Sequence, residues 1–163
     1  MIDKVFFALT LVAALGCGLV GGAFFAFSTF VMSALARLPA AQGIAAMQSV
    51  NVTIINPLCG VVFLGTAATC VLLAVSLLLR RHEPGAAYIL AGSLLYLVGV
   101  ILVTGLFNVP RNNALAAVNP SSAEGAKLWT DYLSGWTAWN HVRTVASLAA
   151  AALLIIALVW NKH

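Results

Sequence analysis

Polar positions along the chain are few and gathered, and between them run four stretches without a charged residue: Val5 to Ala36, Leu58 to Leu79, Ala86 to Phe107, and a last one ending at Trp160. A helix that crosses a bilayer needs about 20 mostly apolar residues, so each stretch predicts a spanning helix. The first is some ten residues longer than a bilayer requires, about 15 Å of extra helix, and must tilt, break or project. In its middle Gly18 and Gly22 have the spacing that lets helix backbones approach closely, and Phe24, Phe25, Phe27 and Phe30 read as packing. The apolar run continues well past Cys17, which makes the N-terminal stretch a retained first helix rather than a cleaved leader.

The connections carry the remaining signals. "AAQGIAAMQSVNVTIINP" reads as a short amphipathic piece, with Pro57 suited to the first turn of the next helix. "RRHEPG" is a tight turn with Pro84 and Gly85 as breakers. After Phe107 the chain is expected to leave the helix through "NVPRNNALAAVNPSSAEG". Ser121 and Glu124 then have capping-box spacing and predict a short interfacial helix through about Trp136. Its Leu128, Trp129, Tyr132, Leu133 and Trp136 repeat at helical spacing, and aromatic rings favour the headgroup level. The predicted fold is therefore all-α: an integral membrane four-helix bundle with a short interfacial helix before the last transmembrane helix. It forms one domain over 1–163, with spans near 5–36, 58–80, 86–107 and 138–160.

Composition agrees. Hydrophobic residues make up 63% and charged residues 7% of the 163, too little polar surface for a soluble domain. The net charge of +4 comes from eight basic and four acidic residues at segment ends, which carries topology information and no nucleic-acid footprint. Lys4, Arg80, Arg81 and Lys162 fall on one side of the bilayer, against Arg37, Arg111 and Lys127 on the other. The short arginine-rich turn orients both termini to the cytoplasm of a plasma-membrane protein. Cys17, Cys59 and Cys70 match neither a disulfide framework nor a zinc motif and read as small buried residues.

On this topology Gln48, Asn51 and Asn56 in the first connection share the non-cytoplasmic side with Asn108, Arg111, Asn112 and Asn113 in the third, and "WNHVR" opens the fourth span there. At about 100° per residue, Trp136, Asn140 and Arg143 fall on one stripe of a helix, with Thr144 close to Asn140 and His141 on the flank. Singly, Asn140 reads as a helix cap, Arg143 as a snorkelling cation, and Trp136 and Trp139 as interfacial anchors. Together they suggest more, because an ionisable residue in a span is expensive and usually faces a bundle interior or a water-filled cavity. Bundles build their sites between facing helices. A protein metal site is disfavoured: His82 falls on the opposite side and His163 is the last residue, leaving His141 without the roughly three ligands that zinc or non-haem iron wants. No phosphate-cradling loop, dinucleotide fingerprint or Ser/His/acid set is present.

"FNVPRNNAL" (Phe107 to Leu115) followed by "W...Y...W..WNHVRT" (Trp129 to Thr144), and preceded by "FFAFSTFVMSAL" and "MQSVN", resembles the anthrone oxygenase family over about residues 5–160. The resemblance implies a small four-helix membrane protein. Its better-known members oxidise polyketide anthrones to anthraquinones with dioxygen and no recognised cofactor motif. It also marks Asn108, Asn112, Trp136, Asn140, His141 and Arg143 as family positions.

Two functions are open at this stage. In the first, a cofactor-independent oxygenase, His141 is the base, and Arg143, Asn140 and the loop amides stabilise an oxyanion. Trp129, Tyr132, Trp136 and Trp139 then wall a flat ring, with Gln48, Asn51, Asn108, Arg111 and Asn112 as further substrate contacts. In the second, a non-enzymatic membrane protein holds a lipid, quinone or similar amphiphile, or serves as a partner subunit or homo-oligomer.

Overall fold

The structure, a computed structural model, describes residues 2–79 and 85–160, and every regular element among them is helical. α1 runs over Ile2–Ala26, widens into a π turn at Phe27–Val31 and closes with Met32–Leu35. α2 is Ala40–Thr53 and α3 is Pro57–Leu79. α4 is α-helical over Ala86–Tyr96, π-helical over Leu97–Leu102 and Thr104–Asn108, and α-helical again over Val109–Ala117. α5 is a single helix, Ala123–Trp160. Four helices are long and apolar enough to cross a membrane: Lys4–Leu35, Pro57–Leu77, Ala86–Ala117 and Ala123–Trp160. The chain is a multi-pass, all-α membrane bundle. Most of the "RRHEPG" turn, with Arg80, Arg81 and His82, lies outside the described residues, as do Lys162 and His163.

Local chemistry explains where the helices start. Asn56 accepts the Cys59 N–H at 3.0 Å, capping α3 ahead of Pro57. At α5 the capping residue is Ser122, whose Oγ accepts the Gly125 N–H at 2.9 Å. The expected pairing of Ser121 with Glu124 is not what forms. Gly85 supplies the left-handed turn into α4 with φ of 74°.

Two boundaries differ from the sequence expectation. The third span does not stop at Phe107 but continues through Pro110 to Ala117. Proline cannot donate to a helix and its ring crowds the preceding turn. The π turn Thr104–Asn108, directly ahead of it, provides the widening that lets the helix pass. The expected interfacial helix and the last span are one continuous rod of 38 residues, about 57 Å long at 1.5 Å per residue. The 23 residues of α3 make about 35 Å, close to the hydrocarbon thickness. α1, α4 and α5 therefore overshoot α3 at the end where α2 packs against α4 and α5.

The core is divided. Within the bilayer length, Ala13, Cys17, Val20, Cys70, Leu73, Ile89, Tyr96, Val100, Ala150 and Leu154 form one apolar cluster across α1, α3, α4 and α5. In the overshooting part, Met32, Ile44, Met47, Leu115, Trp129, Tyr132 and Trp136 form a second. In chain position, Ser28, Thr104, Asn108, Asn140, Arg143 and Thr144 all fall between the two. Outward-facing Leu15, Leu19, Val61, Leu64, Val98, Val145 and Ile155 are exposed, as lipid contact requires.

Close helix contact does use small residues, but different ones from those expected. A Cβ on Gly21 would press on Leu148 and Ser147, and one on Gly99 on Ala146, whereas Gly18 and Gly22 meet nothing. The latter pair faces an open groove of about 730 Å³ beside Leu11, Ala151 and Ile155.

Candidate functional site

The polar belt between the two apolar clusters is built around Asn140 and Arg143. Asn140 is 0% and Arg143 4% exposed, so neither the capping nor the snorkelling role describes them. Asn140 sits in mid-helix because α5 began seventeen residues earlier, at Ala123. Its Nδ2 donates to the Phe24 carbonyl and to Ser28 Oγ, both at 2.7 Å. Those two acceptors on α1 orient the amide, leaving Oδ1 to accept Arg143 Nη2 at 2.7 Å. Arg143 Nη1 donates to Thr104 Oγ1 on α4 at 3.2 Å. Thr144 completes the belt, donating to the Asn140 carbonyl at 2.8 Å and lying 3.1 Å from Ser28 Oγ.

Aromatic faces cover the guanidinium. Its Cζ lies 4.2 Å from the Phe24 ring centroid and 5.1 Å from that of Trp136, within the range of cation–π attraction. Among the described residues no carboxylate pairs with it. Among the described residues the charge is held by neutral hydrogen bonds and ring faces. Both π turns nearest this level contribute to it: Phe27–Val31 carries Ser28, and Thr104–Asn108 carries Thr104 and Asn108. Such wide turns often accompany functional sites.

From the belt an aromatic ladder climbs α5 into the overshooting part. Trp136, Tyr132 and Trp129 stack with centroid separations of 5.9 and 5.6 Å. Trp129 closes over Gly43 of α2, where a Cβ would collide with the indole. Tyr132 donates its hydroxyl to Asn112 Oδ1 at 2.8 Å. Asn112, with Gln48, Asn51, Val109 and Asn113, lines a pocket of about 440 Å³ between α2 and α4. One turn below Asn112, Asn108 is buried and donates to the Trp136 carbonyl at 3.2 Å. The pocket, the Tyr132–Asn112 bond and the Arg143 belt thus form one connected sequence of contacts.

Buried polar atoms in it without a hydrogen-bond partner include Asn108 Oδ1, Trp136 Nε1 and Arg143 Nε. A buried donor or acceptor left unmade costs about 1–3 kcal/mol, so the belt carries a local energetic cost that the rest of the packing offsets.

The remaining residues read from sequence divide. Gln48 lines the pocket and also donates to the carbonyls of Leu115 and Val118 at 2.8 and 3.1 Å, closing the end of α4. Arg111 bonds the Phe107 carbonyl at 2.7 Å and lies against Gly135, while Trp139 stacks on Phe107 at 3.6 Å. These two lie on the α4–α5 seam, off the ladder. His141 is exposed, turned away from the Asn140–Arg143 pair next to it in sequence. Sequence reasoning missed Ser28, Thr104 and Phe24 as parts of the site. A hydroxyl in an apolar helix commonly bonds its own preceding turn, as Thr10 and Thr66 do, and one that instead serves a neighbouring helix has no separate sequence mark. No group of three His, Cys, Asp or Glu gathers among the described residues.

A family model described as "Anthrone oxygenase" matches residues 58–153. The matched part includes α4 and Asn108, Asn112, Trp136, Asn140 and Arg143; α1 and α2, with Phe24, Ser28, Gln48 and Asn51, lie outside it. No curated protein and no solved structure matches the chain.

Proposed function

The chain belongs to the anthrone oxygenase family, and from that premise we propose that it is a membrane-embedded oxygenase acting on a small, flat, anthrone-like aromatic. One observation carries the reading: a buried guanidinium, with no carboxylate partner among the described residues, lies over two aromatic rings and is linked through Trp136, Tyr132 and the Tyr132–Asn112 bond to a pocket of about 440 Å³ that Asn112 lines. That volume is in the usual range for a small-molecule site.

The reaction balances with dioxygen as the co-substrate. An anthrone methylene gives up both hydrogens; one oxygen atom becomes the new carbonyl and the other leaves as water. Electrons reach dioxygen most readily from the electron-rich ring once it has lost a proton to water. Arg143 stabilises negative charge on the substrate oxygen, while Asn140 and Thr104 fix its direction. Tyr132, Trp136 and Trp129 supply apolar faces, and Asn51, Asn108 and Asn112 supply polar contacts. We assign no resident cofactor. His141, exposed and outside the belt, is left without the role of base. The charge pattern of the connections supports placing the pocket on the non-cytoplasmic side with both termini cytoplasmic.

The test is oxygen consumption by purified protein with emodin anthrone, corrected for spontaneous oxidation. Uptake of one dioxygen per anthraquinone formed, lost in Arg143→Gln and retained in His141→Ala, is the expected result. No uptake above the spontaneous rate sinks the reading.

The apolar groove along α1 and α5 favours a second reading, a non-enzymatic protein that holds a lipid or quinone, or a second membrane subunit, against Gly18 and Gly22. A quinone or lipid that co-purifies, without oxygen consumption, would support it.

A further inference from the structure

Cys17 and Cys70 take no part in the belt, yet the fold brings them together. Cys17 is on α1 and Cys70 on α3; both are 0% exposed and both belong to the apolar cluster within the bilayer length. Their thiols are hydrogen-bonding neighbours, with Ser93 of α4 beside Cys70. The backbone explains the proximity. Gly16 directly precedes Cys17, and a Cβ on it would overlap Thr66 Oγ1 of α3. Cys70 follows Thr66 by one turn on the same face. A disulfide needs Cα atoms about 4.4–6.8 Å apart, and two helices closed on a glycine are the kind of contact that brings facing residues into that range.

We propose that Cys17 and Cys70 are a dithiol that a small neutral hydroperoxide converts to a disulfide, a modification that ties α1 to α3 inside the membrane. The reaction balances in two steps. One thiol sulfur takes the terminal peroxide oxygen as the O–O bond breaks, giving a sulfenic acid, and the thiol proton leaves with the other oxygen as an alcohol. The second sulfur then displaces the sulfenic oxygen, forming the S–S bond and releasing water. The peroxide gains two electrons and each sulfur gives up one. The apolar setting selects this end point, because a disulfide is neutral, whereas a sulfinate would leave a charge within the bilayer. It also selects the oxidant, since a charged one is costly to bring into the cluster. The tie bears on the belt: Phe24, whose carbonyl accepts from Asn140, lies two turns beyond Cys17 on α1.

The test uses the full chain in detergent, first reduced, then exposed to tert-butyl hydroperoxide, denatured and alkylated with N-ethylmaleimide for intact-mass and peptide mass spectrometry. The expected result is loss of two of the three thiols, a peptide pair joined through Cys17 and Cys70, and return of all three alkylated sites after dithiothreitol. Cys59, half-buried at the start of α3, stays alkylated throughout and is the internal reference. Cys17→Ala and Cys70→Ala should each form no disulfide within the chain. Three alkylated thiols after a peroxide dose that oxidises glutathione in the same tube overturn the proposal, and this arm needs no variant to fold. A link through Cys59, or oxygen adducts on Cys17 or Cys70 without a link, overturns it as well.

Discussion

Asn140 and Arg143, bonded to each other within α5, tie that helix to α1 through Asn140 and to α4 through Arg143, and the strength of their coupling can be measured in isolation. Asn140→Ala removes two donated bonds to α1 and one accepted from the guanidinium. It leaves the buried Arg143 Nη2 and the half-buried Ser28 Oγ with one partner fewer. A hydrogen bond to a charged group is worth about 1.5–3 kcal/mol in a soluble protein, whereas interhelical bonds in membrane proteins average about 0.6 and reach about 1.7 kcal/mol. The bond here joins two buried side chains three residues apart on one helix at 2.7 Å, with no competing carboxylate among the described residues, which places it near the upper end of that range. A double-mutant cycle of Asn140→Ala and Arg143→Gln should therefore give a coupling of about 1–2 kcal/mol. Reversible unfolding in mixed micelles, by SDS titration followed by circular dichroism, measures it. A coupling indistinguishable from zero would refute the reading of Asn140 as the side chain that aims Arg143. The belt would then be a set of independent polar contacts.

Other expectations follow from the same contacts. Trp136→Phe should lower stability by about 1–2 kcal/mol, since the smaller ring gives up stacking on Tyr132 and Phe27 and cover over Arg143, a loss only partly offset by deleting an unpaired buried N–H; a lower unfolding midpoint in detergent checks it. Gln48→Ala removes the side chain that serves the Leu115 and Val118 carbonyls and should cost about 1–2 kcal/mol, seen as a lower thermal midpoint in detergent. Gly99→Leu should destabilise strongly, by about 1–3 kcal/mol or more, because its first side-chain carbon already meets Ala146 of α5. Gly22→Ala should change stability by less than about 0.5 kcal/mol, there being nothing within contact of the added carbon.

Four apolar stretches, their approximate centres and the membrane class could be read directly from the chain, because the bilayer demands length and hydrophobicity and both are local properties. The start of α3 followed for the same reason: Asn56 and Pro57 act within one turn. The stripe of Trp136, Asn140 and Arg143 was also visible, since helical periodicity alone puts residues three and four apart on one face. Periodicity gave His141 only a flanking place, and which way it turned depended on where the neighbouring helices stood. The continuation of α4 through Pro110 and the fusion of the interfacial segment with the last span were not visible. Pro110 is a breaking signal that the π turn Thr104–Asn108 overrides, whereas the "NPSS" cluster does break the chain, between Ala117 and Ala123; nothing in the sequence near Trp136 marks that the helix begun there runs on without interruption.

Residue order settled which side chains are available near the end of the bundle: amides, one guanidinium and a run of aromatics in an otherwise apolar chain. Tertiary structure decided what they do. It turned Arg143 inward under Phe24 and Trp136, gave Asn140 two acceptors on α1 that fix its amide, and brought Ser28 and Thr104 from distant helices to the same level. The physical reason is that a buried charge in a membrane is tolerable only where several helices jointly supply its hydrogen bonds, and such a convergence is a property of packing, written in no single segment.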